Sequence, residues 1–355
     1  MKFLHAADLH LQTAAAAEQL DALKLILRLA DENNAEFLLF AGDLFDSDHD
    51  ADRIRPQVRE VLTSWDKPTV LVPGNHDASS YSTTADYGEH ALAAREDIHV
   101  FEKLGEFPLV CLPYQEKRAF ADCREGLAHL KGPLVVCCHG TLYLEQWLGW
   151  LREEKEDVGD YFPVYPEDLN GLSIGYLAMG HFHKGFSQTT SPVTCCYPGS
   201  AFPVTARELG PRSVALVHLN GEGSAQVIPL NLKGVPWYQE VSLKSLPWRE
   251  DEMFAELEQH LKNLDPQARP VVSVTGYAQD ERGLRERLER RLKGLGGPQP
   301  KIELFDYSRL MENTFYRMFV EEIEIEKADQ QEKAISEKAL EIITHGFSRL
   351  QKRSR

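Results

Sequence analysis

The chain has 355 residues, 43% of them hydrophobic and 26% charged, enough for a sizeable core and for two domains. A formal net charge of −16 excludes a protein that holds nucleic acid by bulk electrostatics alone. No apolar run approaches the roughly 20 residues of a bilayer span, and the opening MKFLHAADLH has no long apolar core or small-residue cleavage site, so no membrane association and a cytoplasmic location are expected.

The first 230 residues alternate helical patterns with short apolar runs. EQLDALKLILRLADENN places Leu20, Leu23, Leu27 and Ala30 at helical spacing, and EFLLFAGD follows as a strand. PTVLVPGNHD, PLVVCCHG and SIGYLAMGHFH are further strands with continuous rather than alternating apolar cores, as in strands buried on both faces. Each ends in glycine plus a polar cluster, which predicts a layered α/β domain with its chemistry at strand ends. SVALVHLNGEGSAQVIPL reads as a hairpin around Asn220-Gly221 that closes this domain at about residue 230. The six cysteines form no CxxC or Cys/His zinc spacing and are expected reduced, in or near strands.

Beyond LKGVPWYQEVSL the texture changes. A strand, a helix from about Glu250 to Leu264, the strand VVSVTGYA, a charged helix from about Glu281 to Lys293 and the strand KIELF predict a small α+β domain over 231–305. Residues 306–355 read as helical, with Ile335, Ala339, Ile342, Ile343, Phe347 and Leu350 forming one apolar stripe. Charge follows the division. Residues 1–230 hold 18 Lys+Arg against 33 Asp+Glu; subtraction from the totals of 39 and 55 leaves 21 against 22 for the rest. The arginines of RGLRERLERRLKG could meet phosphates, but Glu281, Glu286 and Glu289 interleave with them and favour a solvated helix face.

Five strand ends carry polar blocks: Asp8-Leu9-His10, Gly42-Asp43, Gly74-Asn75-His76-Asp77, His139-Gly140 and Gly180-His181-Phe182-His183. Taken singly, each is an ordinary turn or a locally satisfied histidine. Together they resemble the calcineurin-like metallophosphoesterase superfamily, whose pattern is DxH, GD, GNH[DE], H and GHxH. The resemblance implies a β-sheet sandwich flanked by helices and a two-metal site. Carboxylate, imidazole and amide donors without thiolate suit two divalent ions such as Mn²⁺, with Fe²⁺ or Zn²⁺ within range. Motif by motif, it implies that Asp8, His10 and His183 hold one ion, that Asn75, His139 and His181 hold the other, and that Asp43 bridges them. His76 would act on the leaving oxygen as a catalytic group, with Asp77 orienting its ring.

Smaller features resemble the SbcD-type nucleases of double-strand break repair: KFLHAADLHL, GDLFD at 42–46, VPGNHD at 72–77, and GHFHK at 180–184 followed by CYPGS at 196–200. That resemblance implies a DNA nuclease subunit, exonucleolytic or also endonucleolytic, with structure-selective rather than sequence-selective DNA binding. It further implies an α+β cap over the active site, a homodimer, and a C-terminal helical segment that docks on an SbcC-type coiled-coil ATPase. One departure is Asp46, where many members have a histidine, and it is assigned no catalytic role. Arg207, Tyr81 and Tyr87 are weighed as substrate contacts against ordinary structural roles. The alternatives are a small-substrate phosphodiesterase or phosphatase, favoured by the acidic domain, and a binding subunit with a vestigial site, which the complete motif set opposes.

Overall fold

A computed structural model of the protein describes residues 1–153, 156–190, 193–247, 249–325 and 338–346, and the chain divides into two compact units, Met1–Trp237 and Tyr238–Arg355. The first unit opens with β1 (Lys2–Ala6), α1 (Ala16–Glu32), β2 (Phe37–Ala41), α2 (Asp48–Thr63), β3 (Thr69–Val72) and β4 (Ala91–Ala93). It continues through β5 (His99–Phe101), β6 (Leu109–Leu112), α3 (Arg124–Ala128), β7 (Leu134–His139), α4 (Glu145–Glu153), β8 (Ile174–Gly180), β9 (Phe186–Thr190) and β10 (Val193–Tyr197). The hairpin β11 (Ser213–Leu219) and β12 (Ala225–Asn231) completes it. The strands form two six-stranded sheets, ordered β12-β11-β1-β2-β3-β4 and β5-β6-β7-β8-β10-β9. The central strands β1 to β4 of one sheet, and β6, β7, β8 and β10 of the other, pair in parallel.

Alternation within the apolar strands explains the layers. In β1, Phe3 belongs to the core between the sheets, with Phe37, Val70, Leu109, Val135 and Tyr176. Its neighbour Leu4 points the other way, to a core with Leu23, Ile26 and Leu27 of α1 and with Ile54 and Val58 of α2. A third core covers the far side of the second sheet, joining Val136 and Leu177 to Leu127 of α3 and Leu151 of α4. Successive strand residues thus meet different apolar layers, so the runs are continuous. Each fully buried Leu or Phe stabilises this arrangement by roughly 1.5–3 kcal/mol. At the closing hairpin the Asn220 side-chain oxygen accepts from the backbone of Glu222 (3.1 Å) and Ser224 (2.9 Å), an Asx turn that sets the register Leu219 opposite Ala225.

The second unit holds the sheet β13 (Trp237–Ser245), β14 (Ala268–Ala278) and β15 (Lys301–Asp306), with helices α5 (Glu250–Lys262) and α6 (Glu281–Leu292). Val241, Phe254, Leu257, Val274, Leu284 and Leu288 build its core. The arginines of α6 serve this unit: Arg282 and Arg285 pair with Glu286 and Glu281 one turn away, and Arg287 and Arg291 lie over the Phe254 ring at 4.6 and 4.3 Å. Helices α7 (Tyr307–Met311) and α8 (Thr314–Ile325) follow, and 338–346 is again helical. Of the expected C-terminal stripe, Ile335, Phe347 and Leu350 lie outside the described residues. Ile342 departs from it: Leu340 and Ile343 pack against Tyr316 and Val320, while Ile342 is 63% exposed, because Leu340 and Ile343 are the residues that share the inward face. Among the described residues no helix is long and apolar enough to cross a membrane.

Candidate metal centre

The polar blocks meet where the two sheets come together at their strand ends. Four of their residues hold left-handed backbone although none is glycine: Asp8 (φ 52°), His10 (45°), Asp43 (47°) and His181 (115°). Such conformations cost of order 1–3 kcal/mol each and gather where geometry serves function. The motif glycines answer to close approach. Gly42 has φ +91°, and a Cβ there would lie 2.0 Å from His139 Nδ1; at Gly180 it would lie 1.8 Å from the carbonyl oxygen of Ala41.

Asp8, His10 and His183 form one group whose donor atoms lie within 4.8 Å of one another; Asp8, Asp43 and His139 form a second, and His10, Asp43 and His76 a third. Asp43 therefore touches two sets, with Oδ2 3.6 Å from His10 Nε2 and 3.3 Å from His139 Nε2. Asp8 also lies between sets, 3.8 Å from His139. Asn75 joins through Oδ1, 2.9 Å from His139 Nε2. His181 stands beside them: its backbone N–H donates to Asp8, and its ring centroid is 5.5 Å from that of His139.

The second nitrogen of each imidazole shows what the centre can hold. His10 Nδ1 faces Asp46 Oδ1 (3.2 Å), His183 Nδ1 faces Glu208 Oε1 (3.2 Å), His139 Nδ1 faces the carbonyl of Ala41 (2.9 Å), and His181 Nε2 faces the carbonyl of Asp157 (2.9 Å). Each acceptor draws the ring proton outward and leaves the other nitrogen's lone pair to the centre. His10 Nε2 and His183 Nε2 then meet at 3.1 Å, and His139 Nε2 meets Asn75 Oδ1 and Asp43 Oδ2, so that with the rings neutral only lone pairs would face one another. Nitrogen and oxygen atoms that converge in this way fit divalent cations. The electrostatics agree. Burial opposes charge on His139, yet Asp43 and Asp8 carry its pKa up to about 9; burial likewise opposes charge on His183, and the Glu208 bond and Asp8 carry it to about 9. Both positions call for positive charge, from a proton or from a metal ion. Burial, then the charge on His139, lowers His181 to about 3 and keeps it a neutral donor.

His76 is exposed, its ring centroid 4.8 Å from that of His10. Asp77 does not orient it, contrary to the expectation from the motif. Asp77 is wholly buried, and its carboxylate accepts from the backbone N–H groups of Gly74 (2.9 Å), Leu44 (2.9 Å) and Phe45 (3.2 Å) and from the Tyr81 hydroxyl (3.1 Å). It ties the GNHD turn to the GDLFD turn. The His76 ring is held instead through Nδ1 by the backbone carbonyl of Asp46, at 2.9 Å. Tyr81 and Tyr87 are likewise structural: both are buried, stacked at 5.3 Å, with the Tyr87 hydroxyl bonded to the Ser80 carbonyl.

Sequence reasoning gave Asp46 no role and did not single out Glu156, Asp157 or Glu208, because each reaches the centre through loop geometry. Only Asp46 carried a signal, its place within GDLFD. Glu156 accepts the backbone N–H of His183 at 3.0 Å, and Glu208 binds Ser200 of the CYPGS block at 2.7 Å. Beside the centre opens a cavity of about 240 Å³ lined by Asp43, His76, Tyr161, His183 and Arg207 among others.

The calcineurin-like phosphoesterase family description matches residues 1–185, more than half of the chain. The DNA double-strand break repair protein Mre11 of Archaeoglobus fulgidus is 26% identical over 245 residues, 59% of this chain and 52% of that protein. The uncharacterized metallophosphoesterase YhaO of Bacillus subtilis is 24% identical over 262 residues, 62% of this chain and 58% of that protein. The chain thus spans little more than half the length of these relatives. A solved dimetal phosphatase of Danio rerio aligns with a TM-score of 0.43 at 11% identity, covering 64% of this chain and 98% of that one.

Proposed function

The chain belongs to the calcineurin-like phosphoesterase family, and from that premise we propose that it is a metal-dependent DNA nuclease that hydrolyses phosphodiesters at a two-ion centre, with Mn²⁺ as the preferred ion. The observation that carries the reading is the convergence of imidazole nitrogens and carboxylate and amide oxygens on either side of Asp43, between His10 and His183 and between His139 and Asn75. The DNA substrate is supported by the SbcD-type motifs and by the likeness to a repair protein.

Asp8, His10 and His183 would hold one ion, Asn75, His139 and His181 the other, with Asp43 between them. When bound, such ions acidify water to supply a nucleophile and neutralise charge on both the attacking and leaving oxygens. The protein's share is orientation. Asp46, Glu208 and the carbonyls of Ala41 and Asp157 fix the four imidazole rings. The Asp46 carbonyl accepts from His76 Nδ1–H, which turns Nε2 outward to pass a proton to the leaving oxygen. DNA selection would follow end or strand structure, since backbone phosphates carry no base information. A homodimer and an SbcC-type ATPase partner belong to the same reading; the exposed Phe315, Met318 and Phe319 of α8 support a docking role for the C-terminal helices.

The acidic balance of residues 1–230, 33 Asp+Glu against 18 Lys+Arg, favours the second reading, a small-substrate phosphodiesterase or phosphatase. Comparing a linear duplex with a cyclic nucleotide in the presence of Mn²⁺ separates the two; turnover of the cyclic nucleotide alone overturns the nuclease. His76→Ala is expected to lower DNA cleavage by about 100-fold or more while Mn²⁺ affinity by calorimetry stays within a few-fold. Undiminished cleavage in that variant would remove His76 from the chemistry.

A further inference from the structure

Three cations line the cavity beside the centre, and they are not equivalent. Arg212 is 6% exposed, its guanidinium committed to Glu208, Ser200 and the carbonyls of Leu209 and Gly210. Lys184 has a partner of its own. Arg207 is exposed on the cavity wall, and among the described residues its guanidinium makes no hydrogen bond or ion pair.

The turn that presents Arg207 is closely tied. One Glu208 oxygen accepts from Thr205 N–H (2.8 Å) and faces His183 Nδ1 (3.2 Å); the other accepts from Ser200 Oγ–H (2.7 Å) and Val204 N–H (3.2 Å). The Glu208 N–H donates to the Thr205 carbonyl at 3.2 Å, and the Arg207 N–H to Thr205 Oγ1 at 3.3 Å. Arg207 is therefore one residue along the chain from the carboxylate that holds a metal-capable histidine, and the same bonds fix both.

We propose that Arg207 is a substrate-positioning residue that binds a phosphate flanking the reacting one, so that it favours polynucleotides over substrates with a single phosphate. The inference rests on the phosphodiesterase reading of the centre. On that reading the reacting phosphate would sit at the Asp8, His10, Asp43 and His183 cluster; Glu208 is half-buried beside His183, and the exposed Arg207 next to it on the cavity wall would meet the rest of the substrate strand. A guanidinium fork suits two phosphate oxygens, and one with no partner among the described residues can take them. With 33 acidic against 18 basic residues over 1–230, strand binding cannot draw on bulk charge and must rely on few local cations.

The test compares wild type and Arg207→Ala, both with Mn²⁺, on a single-stranded oligodeoxynucleotide and on bis-p-nitrophenyl phosphate. The expected kcat/KM loss is about tenfold greater for the oligonucleotide, with the excess in KM, and the salt dependence of oligonucleotide binding falls by about one ion. Arg207→Lys should recover part of the KM. Equal losses on both substrates, or an unaltered KM for the oligonucleotide, overturn the proposal while leaving the nuclease reading intact. A wild-type protein that hydrolyses bis-p-nitrophenyl phosphate but neither binds nor cleaves the oligonucleotide overturns both.

Discussion

Asp46 and Asp77 are two aspartates in adjacent motif turns, and their surroundings give them opposite work. Asp77 is saturated by four donors in the interior, whereas Asp46 is partly exposed and gives its side chain to His10 and its carbonyl to His76. The His10 bond, the largest influence on Asp46, lowers its pKa and keeps the carboxylate charged as a ring acceptor. Asp46→Ala should weaken Mn²⁺ binding 10–100-fold, the usual cost of losing a ligand's outer partner, and shift the melting temperature little. Asp77→Ala should instead lower stability by about 3 kcal/mol or more, since it strands three buried N–H groups and a tyrosine hydroxyl. Calorimetry for the first and thermal melts for the second decide the assignment; a reversed pattern would mean that the motif order, and not the geometry, had the better account. The family resemblance implied Asp77 as the orienter, next to His76 in the chain. Neighbouring residues leave a turn in different directions, so adjacency did not decide contact.

At the level of elements, the strand ends crowd so closely that glycine is required where backbone from one strand meets a side chain or carbonyl from another. Gly180 closes β8 against Ala41 at the end of β2 of the other sheet, leaving no room for a methyl group. Gly180→Ala is expected to destabilise the first unit by at least about 2 kcal/mol, roughly 4–8 °C in melting temperature. Gly149, exposed within α4 with open space around its Cα, is the control: Gly149→Ala should be neutral or stabilising by up to about 1 kcal/mol. A Gly180→Ala protein that melts with wild type would show that the approach of the sheets can relax. These elements were legible in the sequence because continuous apolar runs and the helical spacing of Leu20, Leu23, Leu27 and Ala30 require burial on defined faces. Their ends were less so. Left-handed φ at Asp8, His10, Asp43 and His181 reflects packing between strands and has no signature in residue type.

For the molecule as a whole, stacking two sheets encloses groups that no motif marks. His5, paired with Leu39 across β1 and β2, is wholly buried with Nδ1 2.9 Å from the Tyr176 hydroxyl, and burial lowers its pKa from 6.5 to about 3. Unfolded chains take up this proton below about pH 6.5 and the folded protein only near pH 3, so the unfolded state binds more protons across that window. Stability from neutral His5 is full above pH 6.5 and is lost as pH falls toward 3, at up to roughly 1.4 kcal/mol per pH unit. Melts of His5→Phe should show a shallower acid limb than wild type over that range; parallel limbs would locate acid sensitivity elsewhere. The sequence by itself determined the layered α/β class, the family-like order of polar blocks and the hairpin at Asn220, because periodicity and turn chemistry are local properties of the chain. Only the tertiary structure decided which nitrogen of each histidine faces inward, that Asp46 rather than Asp77 holds His76, and that Glu208 ties the CYPGS loop to His183. Those contacts join residues up to 173 positions apart, and which side chain completes such a contact depends on how independently folded strands are stacked.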